Sequence, residues 1–294
     1  MIECSVSRLS TKILNQKLIM KKVQFVPEKN LVFEKKGISL LASSTDDDDD
    51  ADAKDGTIYT MRMNRGPNVV NPEYVDALSD VIDQFETMDH PKSLILTGGG
   101  GRNGESTSKF FSNGLDLSFL QKSNEDEKGK LIESFWKQIL SRMLIMNCRT
   151  VAVINGHAFG AGLFLALACD YRIMRTQRGY LCWPEVNLGM RLAKGFSELT
   201  KAKVTDPQTL RDGVLTAKRY GSTDAYRAGI IDDEYSIDEL QYRGELLAKA
   251  GLPKNLQLQN FNPTAFQQIK IELYSDAYRA LTLGKYNSPP ESRL

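Results

Sequence analysis

The sequence predicts an α/β protein that alternates strands with helices for two thirds of its length and is helical thereafter. Three observations carry this. "KSLILT", ending at Thr97, is a short apolar run with the length of a buried strand. "EYVDALSDVIDQFETM", after Pro72, repeats Val75, Leu78, Val81, Ile82 and Phe85 as one helical stripe. From Phe196 onward the patterning is helical, including 237–249 and 263–281.

The other elements follow in chain order. "NLVFEKKGISLLAS" and "GTIYTMRMNR" read as two strands around "STDDDDDADAKD". The run Asp46 to Asp50 cannot pack and predicts a solvated loop in a long hairpin. It lacks the alternating ligands and the glycine of an EF-hand loop. "TGGGGRNGES" ends a strand but lacks the G-K-[ST] of a phosphate loop, so a mobile surface loop is expected. A helix is predicted over 127–146, and "YRIMRT" and "GYLCW" are further short strands.

Composition narrows the function classes. The 294 residues are 41% hydrophobic and 26% charged, an ordinary soluble balance. Lys+Arg 38 against Asp+Glu 37 gives a net charge of +1, which argues against a general attraction to nucleic acid or anionic membrane. Cys4, Cys148, Cys169 and Cys182 form no C-x-x-C pair, and only two histidines are present, so no structural zinc site is expected. No apolar stretch is long enough to span a bilayer.

Both ends resemble addresses. "MIECSVSRLSTKILNQKLIMKK" is basic, with Leu9, Ile13, Leu14 and Leu18 near helical spacing. It reads as a mitochondrial presequence, as a disordered extension, or as an upstream start before an initiator at Met20. The chain finishes in Ser292, Arg293 and Leu294, a variant of the S-K-L peroxisomal signal.

Two glycine-flanked turns carry chemistry. In "FFSNGLDLSFL", Gly114 precedes Leu115 at the start of a short helix, leaving an unpaired amide, and Asp116 suits the first turn electrostatically. In "INGHAFGAGLFLALACDYRIM", Gly156, Gly160 and Gly162 surround Ala161 at the positive end of an apolar helix. The spacing is not the G-x-G-x-x-G of a dinucleotide site. Brought together, the two turns would supply two donors to one oxygen, an oxyanion hole.

"KFFSNGLDL", "INGHAFGAGLFLALACDYRIM" and "WPEVNLGM", in this order, resemble three successive signatures of the enoyl-CoA hydratase/isomerase family, the crotonase superfamily. The likeness runs over roughly residues 30 to 280. It implies a crotonase-type spiral of ββα units with a C-terminal helical region. The corresponding division is an extension over 1–29, a core over 30–230, a helical region over 231–288 and a tail over 289–294. It also implies a fatty enoyl-CoA substrate, no cofactor beyond the CoA of that substrate, and homotrimers or dimers of trimers.

Carried onto this sequence, the resemblance puts the oxyanion hole on the amides of Leu115 and Ala161. Ser112, Asn113, Gly114, Gly160, Phe164 and Trp183 become substrate-binding candidates, with Ser112 and Asn113 along the pantetheine path. Hydratases of the family use two glutamates. The first position holds Phe164 here, and the second is Glu185. A subset of isomerases places its glutamate further along, where this chain has Ala193 and Lys194. A lone carboxylate moves a proton but lacks the partner expected for adding water, so the pattern resembles that of Δ3,Δ2-enoyl-CoA isomerases. Apolar Trp183, Val186 and Phe164 are expected to raise the Glu185 pKa. A peroxisomal import receptor reading Ser292-Arg293-Leu294 is the matching partner, with mitochondrial import as the alternative.

Other readings stay open at this level. A hydratase or thioester hydrolase of the same family would share the hole, and a non-catalytic member would only bind acyl-CoA. His157 is read as a packing residue, Asp170 and Arg172 as structural hydrogen-bonding groups, and Lys109 and Arg65 as surface charges within reach of CoA phosphates.

Overall fold

The computed structural model describes residues 30–44, 56–99 and 109–287. The aspartate run, "GGRNGESTS" and both terminal addresses lie outside them. Where one strand was expected over "NLVFEKKGISLLAS" there are two, β1 (Asn30–Lys35) and β2 (Ile38–Ser44). Lys36 and Gly37 both have positive φ, 45° and 77°, the requirement of a two-residue hairpin whose twist matches its strands. β2 then pairs antiparallel with β3 (Thr57–Met63), Ile38 opposite Met63 and Ser44 opposite Thr57.

From β3 onward the sheet is parallel. Its order is β1-β2-β3 followed by β4 (Lys92–Gly98), β6 (Arg149–Ile154), β8 (Tyr171–Arg175) and β10 (Asp233–Tyr235). Alternation sorts the side chains. Met61, Leu94, Leu96, Ala152 and Ile154 face the main core, with the stripe Val75, Leu78, Val81, Ile82 and Phe85 of α1 (Pro72–Glu86). Ile58, Ile95, Val151, Val153 and Ile173 face the other way, onto Leu240 and Ala248. The N-terminus of α1 is fixed by Asn71, whose side chain accepts from the Tyr74 amide at 2.9 Å, with Pro72 in the first turn.

After β5 (Phe110–Ser112) come α2 (Leu117–Lys122) and α3 (Glu125–Ser134). α3 begins two residues before the predicted start because Asn124 and Glu127 form a reciprocal capping box. It continues through a π-helical stretch, Phe135–Leu140, and a last turn, Ser141–Leu144. The widened turn keeps Phe135, Trp136, Ile139 and Leu140 all buried.

A second, three-stranded parallel sheet aligns β5 with β7 (His157–Phe159) and β9 (Leu181–Cys182). α4 (Ala161–Leu167) follows β7. α5 (Lys194–Lys203), α6 (Pro207–Thr216), α7 (Ser222–Arg227) and α8 (Ile237–Lys249) succeed β9, α8 returning after β10 to the second face of the large sheet. There Ser93 Oγ donates to the Ala248 carbonyl at 2.9 Å.

The helix expected over 263–281 is broken at Tyr274 into α9 (Pro263–Leu273) and α10 (Ser275–Leu283). α9 is held by Lys270, whose ammonium meets the Asp170 carboxylate at 2.7 Å and the Cys148 carbonyl at 2.9 Å. α10 buries Ala277, Ala280 and Leu281, and the break reconciles the two anchorages. Asp170 and Arg172 are structural as read: Asp170 accepts from the Thr150 amide, and Arg172 donates to the carbonyls of Ile230 and Cys169.

Candidate active site

The small sheet brings the three motif segments together, because each follows a neighbouring parallel strand. Gly114 and Leu115 come after β5, Gly160 and Ala161 after β7, and Trp183 to Glu185 after β9. In parallel sheets the carboxyl ends of the strands are where backbone groups run out of partners and ligands bind.

The Leu115 amide is turned outward by its neighbours. Val70 donates to the Gly114 carbonyl at 2.8 Å and accepts from the Asp116 amide at 2.9 Å, forming a parallel bridge to Leu115. In such a bridge the ladder uses the groups flanking Leu115, so its own N–H points away from Val70. Asp116 caps α2 through Oδ1, which accepts from the amides of Ser118 and Phe119.

Ala161 is the first residue of α4. The first intrahelical bond runs from the Phe164 amide to the Gly160 carbonyl at 3.0 Å, so the Ala161 amide precedes it and has no partner within the helix. Gly160 turns the chain with φ 47° and ψ −117°, a conformation open to glycine.

The two turns touch. A Cβ on Gly114 would lie 2.6 Å from the Phe159 carbonyl oxygen and 3.6 Å from the Ala161 nitrogen. One on Gly162 would lie 2.4 Å from the Ser112 carbonyl oxygen. Glycine at both positions lets the α4 terminus sit against the end of β5.

Glu185 opens a single 3-10 turn, Glu185–Leu188. Its Oε1 lies 3.6 Å from where a Gly160 Cβ would stand, and its buried Oε2 meets no hydrogen-bond partner among the described residues. Burial pushes this carboxyl up to about 7, against the lowering influence of a bond from its own backbone amide. Val186 is 48% exposed, and the buried Trp183 ring meets Tyr220 edge-on and donates to Thr200 Oγ1 at 3.3 Å.

Phe164 is fully buried and stacks on Phe196 with ring centroids 4.2 Å apart, and Phe196 in turn meets Trp136. Ser112 is also fully buried. Its hydroxyl donates to the Asn68 carbonyl at 2.7 Å and so braces the turn from beneath. Asn113 is exposed, and its amide is bonded to the Pro67 carbonyl. Arg65 pairs with Glu73, and Lys109 lies over the Phe110 ring.

The sequence reading missed Asn68. Fully buried at φ 50°, it donates to the carbonyls of Met63 and Phe111 and accepts from the Arg65 amide, tying the loop after β3 to β5 and setting Val70 against Leu115. The signal was "RGPNVVNP", where an asparagine after Gly-Pro suits a left-handed turn.

Two amides without a partner among the described residues lie in touching turns, and a desolvated carboxyl stands at Gly160, an arrangement whose chemistry would suit a substrate whose oxygen becomes negative as a proton leaves. The family described as enoyl-CoA hydratase/isomerase matches residues 53–281, and the chain belongs to it. Enoyl-CoA delta isomerase 3 of Arabidopsis thaliana is 30% identical over 220 residues, covering 74% of this chain and 88% of that protein. The peroxisomal enoyl-CoA delta isomerase 2 of the same plant is 28% identical over 230 residues, covering 76% and 91%. The crystal structure of human mitochondrial delta3-delta2-enoyl-CoA isomerase superposes with a TM-score of 0.64 at 21% identity, covering 76% of this chain and 82% of that one.

Proposed function

We propose that the protein is a Δ3,Δ2-enoyl-CoA isomerase of unsaturated fatty acid β-oxidation. Its substrate is a 3-enoyl-CoA, whose thioester oxygen sits between the amides of Leu115 and Ala161. Glu185 in its ionised form removes a C2 proton, and the electron pair delocalises into a dienolate with its charge on that oxygen. The double bond moves to C2–C3 as Glu185 returns the proton to C4. No atom is gained or lost, and CoA enters only as part of the substrate. Each amide donor contributes about 3 kcal/mol to the charged intermediate.

One observation carries the reading. Glu185 is a desolvated carboxylate whose Oε1 lies beside Gly160 and whose buried Oε2 meets no hydrogen-bond partner among the described residues, while the position of the hydratases' first glutamate is the buried Phe164. A proton held near pH 7 suits a group that must both take and return it. The names of the plant relatives support the same activity.

The test is direct. The protein converts 3-hexenoyl-CoA to 2-hexenoyl-CoA and hydrates crotonyl-CoA at a far lower rate; the reverse order of rates overturns the isomerase in favour of a hydratase. Peroxisomal residence, through an import receptor that reads Ser292-Arg293-Leu294, and a homotrimeric or dimer-of-trimers assembly belong to the same proposal. A tagged protein lacking the three residues stays out of peroxisomes, and one that still enters refutes the tail as the address.

A further inference from the structure

At the far end of the same small sheet lies a cleft of about 460 Å³ that the proposed reaction does not use. Its lining includes His157, Arg178, Tyr180, Ser222 and Asp224. His157 opens β7 and Tyr180 immediately precedes β9, whereas Gly160 and Glu185 follow those strands. The cleft and the candidate active site therefore occupy opposite ends of the sheet.

One wall is aromatic. The Tyr180 ring, with the residue 45% exposed, stacks on His157 at 5.7 Å and an interplanar angle of 27°. His157 in turn lies 5.5 Å from Phe110 and 4.9 Å from Phe159. The Tyr180 amide donates to His157 Nδ1 at 3.1 Å, which fixes the ring and leaves Nε2 to carry a proton.

One cation lines the cleft, and two others lie over the rings packed against His157. Lys109 lies over Phe110 at 5.4 Å and Arg219 over Phe159 at 5.8 Å, with Arg178 on the cleft itself. Burial, then Lys109, Arg178 and Arg219, hold the His157 imidazole below its usual range. None of the three cations pairs with a carboxylate among the described residues. An anion relieves a cation left without a carboxylate, and the Arg178 guanidinium on the cleft matches phosphate oxygens in shape as well as charge. The facing wall supplies Asp224, an acceptor suited to hydroxyl groups, while the Thr223 hydroxyl is already committed to Glu234.

The geometry points to a second ligand site in this cleft, for a nucleoside phosphate: the base stacks on Tyr180, the phosphate meets Arg178, and the sugar hydroxyls reach Asp224. The volume lies within the range of about 300–1,000 Å³ usual for small-molecule sites. A bare phosphate would leave the Tyr180 face unused.

The test is calorimetric titration of the full-length protein with AMP, ATP and inorganic phosphate, with and without saturating hexenoyl-CoA. Saturable nucleotide binding that survives the acyl-CoA is expected. It weakens about tenfold or more in Arg178→Glu, for one lost charge-assisted contact, while the exposed Lys130→Glu leaves it unchanged. Tyr180→Ala weakens AMP and not inorganic phosphate. Arg178 and Tyr180 are both exposed, so the variants are expected to fold, and unchanged isomerase turnover verifies it. Three results each overturn the site: no saturable binding at millimolar nucleotide, AMP binding no tighter than inorganic phosphate, or binding that acyl-CoA displaces and Arg178→Glu leaves intact.

Discussion

The Glu185 carboxylate stands against Gly160, its Oε1 only 3.6 Å from the point a Gly160 Cβ would occupy. That glycine therefore serves two ends at once, a backbone turn at φ 47° and an unobstructed face toward the base. Gly160→Ala is expected to cost about 1–3 kcal/mol of stability through backbone strain and to lower kcat by more than the stability loss explains. Denaturant unfolding beside steady-state kinetics separates the two effects. A variant with full turnover would show that the turn is not part of the site.

Glu185→Gln should reduce isomerisation by about 10²–10⁴-fold while acyl-CoA still binds. The same substitution should raise stability at alkaline pH. The folded pKa of about 7 exceeds the reference 4.5, so the carboxyl's contribution to stability is complete below pH 4.5 and is lost as pH rises through 7. The wild type therefore carries a penalty of up to about 3 kcal/mol at pH 8 that the glutamine variant lacks, and the two converge in acid. Urea titrations at pH 4.5 and pH 8 measure the difference.

The pH dependence of turnover follows from the same shift. The base must be ionised to take the first proton, so kcat/KM climbs about tenfold per pH unit below 7 and levels off above it. An inflection left near 4.5 would mean that Glu185 is not the titrating group.

Gly162→Ala tests the meeting of the two turns. Its new methyl would fall 2.4 Å from the Ser112 carbonyl oxygen, forcing α4 away from β5. Overpacking of this kind costs about 1–3 kcal/mol, and if it displaces one donor kcat falls about 10²–10³-fold. Turnover that tracks stability alone would argue against paired donors.

Lys270→Ala removes one partner of a buried ion pair, with Lys270 6% and Asp170 15% exposed. A loss of about 3–5 kcal/mol is expected, because the buried Asp170 carboxylate is left without the ammonium that pairs with it. Faster proteolysis within α9 and α10 would accompany it.

What the sequence revealed was local. The two glycine turns are read from backbone demands that a few adjacent residues express by themselves, Glu185 is read only from the resemblance of its segment to the family's signatures, and the strands of the large sheet follow from alternation and length. Contacts between distant segments were not legible. Nothing near Asn68 in the chain says that it will reach Phe111, and nothing near Tyr274 says that Lys270 must meet Asp170 while Leu281 is buried. Side-chain direction was hidden too. Trp183 adjoins Glu185 in the chain yet turns its ring to Tyr220.

The pairing of Val70 with the residues on either side of Leu115 leaves the donor there written in main chain alone, as the helix start leaves it at Ala161. Side-chain scanning is blind to such a group: alanine at position 115 keeps the N–H in place. The informative replacement is an ester in the chain, which exchanges the N–H for an oxygen and leaves every side chain as it was.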